Sequence, residues 1–124
     1  MKSMLVIDGS ATIAKLFAEI FTKRGWSVAT CGDRDSAIWQ LAGSAPYDVV
    51  LLSYQVPGTN GVELVRYVRG LEHRRTCAVV MVTGSGDVTE QARAAGADEV
   101  LLKPVNPNAL IWTVDKFAQP GPAR

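Results

Sequence analysis

The 124-residue sequence predicts an α/β fold, a doubly wound parallel sheet with helices on both faces. Two observations carry that prediction. Five short aliphatic runs alternate with five segments of helical period, as repeated βαβ units do. The runs are apolar throughout and do not alternate with polar residues, which is the pattern of strands buried on both sides. Right-handed crossovers then wrap helices over each face. The length suits one domain, and 48% hydrophobic with 20% charged residues suits a soluble globular core.

The first strand is expected over residues 4–7, where Asp8 stops the run. Ser10 is the N-cap of the first helix, whose apolar face is read as Ile13, Leu16, Phe17, Ile20 and Phe21. Lys23 and Arg24 are placed in its last turn, and Gly25 ends it. The second strand is read over 26–31, with Trp26 as core. The second helix starts near Asp33, buries Ala37, Ile38 and Leu41, stops at Gly43 and is flanked by Trp39. After a third strand at 49–52, Asn60 and Glu63 mark a capping-box-like start to the third helix, which buries Val65 and Val68. A fourth strand at 78–82 leads to a weakly apolar helix from Asp87 to about Ala95. A fifth strand at 100–102 leads to a helix from about Asn106 that buries Leu110, Val114 and Phe117. The domain is placed at 1–118, and the Pro/Gly-rich residues 119–124 are read as a tail or the start of a linker.

Composition narrows the function. A net charge of +1 points to neither nucleic acid nor an anionic membrane. The aliphatic run at 4–7 is too short for a signal-peptide core or a membrane span, so a cytoplasmic location is expected. Cys31 and Cys77 lack metal-ligand spacing and are read as free buried thiols. The basic cluster of His73, Arg74 and Arg75 is read as a solvated end near a helix C-terminus. The segment 83–86 is glycine-rich but lacks the lysine and spacing of a phosphate-binding loop.

In an open parallel sheet, ligands bind at the carboxyl ends of the strands, where the strand order reverses. The residues just past those ends are Asp8 and Gly9, Ser53, Thr83, and Lys103 with Pro104. One carboxylate, two hydroxyls and one ammonium converge there. The pieces LVIDGSAT, YDVVLLSYQVPGTNGVEL, VVMVTGSGD and AGADEVLLKPVN, in this order, closely resemble the receiver domain of bacterial response regulators. The resemblance implies a flavodoxin-like (βα)5 sheet with strand order 2-1-3-4-5, a cis Lys103–Pro104 bond, and a role in two-component signal transduction.

By that resemblance, Asp8 matches the first of two acidic positions and Gly9 stands at the second. Ser53 stands at the phosphoacceptor position, Thr83 at the hydroxyl position, Lys103 at the lysine and Val100 at the aromatic switch. A serine hydroxyl needs a general base to attack a phosphoryl group, and an ordinary carboxylate is a poor base at pH 7. Mg²⁺ normally takes one or two carboxylates plus phosphate oxygens, so with Asp8 alone no tight Mg²⁺ site is expected, and no cofactor. Asp8 and Lys103 are expected to pair, with Ser53 and Thr83 hydrogen-bonding around them. Such a pair attracts by about 4 kcal/mol at 4 Å and an effective dielectric of 20, before desolvation. Val100 is stiff and aliphatic, with no ring to rotate.

The expected function is therefore a phosphorylation-independent interaction module, not an enzyme. Its partner is a signalling protein, an adjacent domain of a longer chain, or a second copy. The helical wheel puts Trp112 on the outer face of the last helix, and Trp112 with Arg93 is the candidate partner contact. Two alternatives compete: a conventional phosphoacceptor using a non-standard residue, for which Asp8 is the only candidate, and an unrelated flavodoxin-like enzyme or nucleotide binder. No base–nucleophile pair or phosphate cradle supports the latter.

Overall fold

The computed structural model describes residues 2–118. Five strands, β1 (Ser3–Ile7), β2 (Ser27–Cys31), β3 (Val49–Ser53), β6 (Ala78–Thr83) and β7 (Glu99–Leu102), form one parallel sheet in the order β2-β1-β3-β6-β7. In terms of these five strands alone, that is the 2-1-3-4-5 order expected. Successive side chains of a strand point to opposite faces, and both faces are covered. Leu5, Ile7, Val50, Leu52, Val79 and Met81 pack into one core with α2 (Arg34–Ala42), α3 (Gly61–Gly70) and α4 (Thr89–Ala95). Met4, Val6, Val49, Leu51, Val80 and Val82 pack into the other with α1 (Ala11–Thr22) and α5 (Pro107–Ala118). This double burial is why the strands read as continuous apolar runs.

The caps explain where the helices start. Ser10 Oγ accepts from the Ile13 N–H at 3.2 Å, Asp33 Oδ1 from Ser36 at 2.8 Å, and Asn60 Oδ1 from Glu63 at 3.0 Å. Some expectations need correction. Leu16 is 49% exposed, and Ala14 takes its place in the core. At 100° per residue Leu16 lies about 130° from the centre of the Ala14, Phe17 and Phe21 face. Ile38 and Phe117 are half-buried. Lys23 and Arg24 lie past the last turn of α1, and Arg24 pairs with Asp115 of α5 at 3.1 Å. A short 3-10 turn, Gly86–Val88, delays α4 to Thr89. Trp26 sits just before β2, buried edge-on against Phe21.

Two features have no counterpart in the sequence reading. The stretch after β3 is a small antiparallel hairpin, β4 (Gln55–Val56) and β5 (Thr59–Asn60). Its turn is Pro57-Gly58, with Gly58 at φ +87°, a conformation glycine adopts without strain. Arg74, read as solvated, is 3% exposed. Its guanidinium donates to the carbonyls of Leu41 (2.9 Å), Gly43 (2.8 Å), Gln40 (3.2 Å) and Ala45, and lies 4.7 Å from the Tyr47 ring centre. His73 Nε2 also meets the Gly43 carbonyl at 2.9 Å. These side chains serve carbonyls at and just past the C-terminus of α2. The proposed tail at 119–124 lies outside the described residues.

Candidate functional site

The strand order reverses between β1 and β3, and a cavity of about 610 Å³ opens at their carboxyl ends. Asp8, Gly9 and Ser10 form one wall, Ser53 and the hairpin a second, and Lys103 from the end of β7 a third. Ladder hydrogen bonds place these residues. The Asp8 N–H donates to Cys31 O at 3.1 Å, the Tyr54 N–H to Val82 O at 3.0 Å, and the Lys103 N–H to Thr83 O at 2.8 Å. The Lys103–Pro104 bond is cis, as expected.

The side chains meet only in part. Asp8 is 4% exposed, and its Oδ1 accepts from the Ser10 N–H at 2.9 Å. Its Oδ2 is buried with no hydrogen-bond partner among the described residues. Lys103 is exposed, and among the described residues no ion pair joins it to Asp8. The expected pair is thus not formed: the ammonium keeps its water at the end of an edge strand, where drawing it inward would cost desolvation. Thr83 does not bridge to Ser53 either. Its Oγ1 accepts from the Ser85 N–H at 3.1 Å and donates to Ser85 O at 3.2 Å, which ties it to its own loop.

Gly9 has a steric cause that its sequence position hides. A Cβ there would lie 2.8 Å from Pro57 Cδ and 3.2 Å from the Gln55 carbonyl oxygen. While the hairpin holds this place, position 9 admits no side chain. Ser53 is buried at 3% exposure. Val100 packs in the core on the α2, α3 and α4 face. Trp112 is 66% exposed on α5, on the outer face the helical wheel assigned it, with Lys116 Nζ 5.2 Å from its ring centre. Arg93 is not a free cation: it pairs with Glu99 at 2.7 Å. Burial pushes the Cys31 thiol up to about 11 and raises that of Cys77, so neither is a thiolate at neutral pH.

Residues 4–115 match the family described as Response regulator receiver domain. The chain belongs to that family. This receiver domain is 29% identical over 112 residues to the phosphate regulon transcriptional regulatory protein PhoB of Escherichia coli, covering 89% of the chain and 48% of PhoB. It is 27% identical over 113 residues to the transcriptional regulatory protein ResD of Bacillus subtilis, covering 90% and 45%. The receiver thus spans about half the length of the curated relatives it matches. Among solved structures, the chemotaxis response regulator CheY4 of Vibrio cholerae superposes with a TM-score of 0.87 at 27% identity, covering 94% of this chain and 98% of that one. A receiver domain protein from Clostridium thermocellum gives 0.86 at 25%, covering 95% and 94%. Among the described residues no helix is long and apolar enough to cross a membrane.

Proposed function

We infer that this receiver domain is a pseudo-receiver, a phosphorylation-independent interaction module in two-component signalling. The observation that carries the reading is the lack of room for a Cβ at Gly9, which would come 2.8 Å from Pro57 Cδ. The hairpin fills the space a second acidic side chain would need. Among the described residues Asp8 is then the one carboxylate on the cavity wall, because Ser53 and Gly9 supply none. Mg²⁺ demands near-octahedral oxygen ligation and is normally held through carboxylates and phosphate. One carboxylate, with a lysine ammonium lining the same cavity, does not fit that demand.

The same residues argue against phosphoryl chemistry. Ser53 is neutral, and none of the described contacts links it to a base. Val100 offers no ring for a phosphate to bias, and an effector shifts only an equilibrium that exists. The domain then acts through a constant surface, on a cytoplasmic signalling protein, a neighbouring domain or a second copy. Trp112 supports the α5 face, because a large rigid exposed side chain with a polar edge is a frequent anchor. Arg93 on α4, held in its ion pair with Glu99, is the second candidate contact. The experiment is a beryllofluoride titration with Mg²⁺, followed by amide NMR. Unchanged spectra are expected; saturable shifts around Ser53 would refute the reading.

A further inference from the structure

Where the hairpin joins α3, Asn60 is followed by Gly61. In a free chain this pair is chemically labile. A glycine carries no side chain to shield its backbone nitrogen or to restrict its rotation. The Gly61 nitrogen can then attack Asn60 Cγ. The N–Cγ bond forms, the Cγ–Nδ2 bond breaks, and the Gly61 amide proton leaves with Nδ2 as ammonia. Water opens the resulting cyclic imide at either carbonyl, giving aspartate or isoaspartate. Water is the one co-reactant, and Asn60 is half-buried on the cavity wall.

The fold holds both reacting groups. The Gly61 N–H donates to the Tyr54 carbonyl at 2.8 Å, so the nucleophile's proton is engaged. Asn60 is the N-cap of α3, and its Oδ1 accepts from the Glu63 N–H at 3.0 Å, which fixes the amide that would be attacked. Gly61 is buried, and a Cβ on it would lie 2.7 Å from the Ser53 carbonyl oxygen and 2.9 Å from Tyr54 Cα. The backbone has no room to swing on that side. We propose that Asn60 is a latent deamidation site, kept intact while the junction of hairpin and α3 is closed and converted when that junction opens. The products differ in consequence. Aspartate still caps the helix, adds a negative charge at its N-terminus and puts a second carboxylate on the cavity wall. Isoaspartate lengthens the main chain by a methylene where Gly61 has no slack, so it does not rebuild the cap.

The test is peptide mass mapping of the full chain after incubation in mildly alkaline buffer, with and without urea above the unfolding midpoint. The readout at each asparagine is the exchange of amide for acid. Asn108, followed by Ala109, is the internal reference, and Asn106 precedes Pro107, which has no amide proton to lose. Asn60 should convert about tenfold or more faster in urea than in native buffer, because the native rate is scaled by the open fraction. In urea it should also outpace Asn108. After removal of urea, the refolded fraction should carry aspartate at position 60, with isoaspartate left in the chains that fail to refold. The proposal is overturned if Asn60 converts equally fast in native buffer and in urea, or if Asn108 matches it in urea. None of these outcomes depends on the beryllofluoride result.

Discussion

At the end of β1 the backbone passes Pro57 so closely that only hydrogen fits at the Gly9 Cα, with 2.8 Å to Pro57 Cδ for any added Cβ. Gly9→Asp therefore forces the hairpin or β1 to move, and overpacking of this kind costs about 1–3 kcal/mol. The urea midpoint should fall accordingly. Pro57→Ala in the same chain removes the clashing Cδ, so the two substitutions should couple by more than about 0.5 kcal/mol in a double-mutant cycle. Additive effects would show that the contact does not hold position 9 open. The glycine itself was visible in the sequence as a departure from the receiver pattern. Its cause was not, because the clash depends on a hairpin 46 residues or more away along the chain. The Asp8–Lys103 pair failed for the same kind of reason: convergence at one sheet edge does not fix a distance, and Asp8 is buried while Lys103 is exposed.

Helices and their ends show a different balance. N-caps at Ser10, Asp33 and Asn60 were legible because capping is local in sequence. The C-terminus of α2 was not, since its cap is Arg74, 31 residues beyond Gly43. A basic run gives no sign that one of its members is buried. Arg74→Met strips donors from four carbonyls and should cost about 2–4 kcal/mol in urea denaturation. Arg74→Lys should recover little, because one ammonium cannot reproduce the fork. A neutral result for Arg74→Met would mean that water serves those carbonyls equally well. On α5 the wheel separated buried Leu110 and Val114 from exposed Trp112. Trp112→Ala should shift stability by less than about 0.5 kcal/mol while abolishing association with a partner or a second copy. Retained association, read by light scattering or pull-down, would remove Trp112 from the docking surface.

Over the whole molecule, the fold was legible because the two-sided core imposes one rule on every strand. Alternate residues of β1, β3 and β6 feed opposite cores, so each run is apolar end to end. The family match over residues 4–115 and the superposition on CheY4 agree with that reading. Function follows less directly, since one fold hosts many sites. On the proposed reading, the site is set by a neutral Ser53 at the end of β3 and by a position 9 with little room for an acid. The most direct test is the intact mass of the chain after incubation with acetyl phosphate and Mg²⁺. The mass should remain that of the unmodified protein. A stable gain of one phosphoryl group on Asp8, Ser53, Thr83 or any other residue of the cavity would contradict the account.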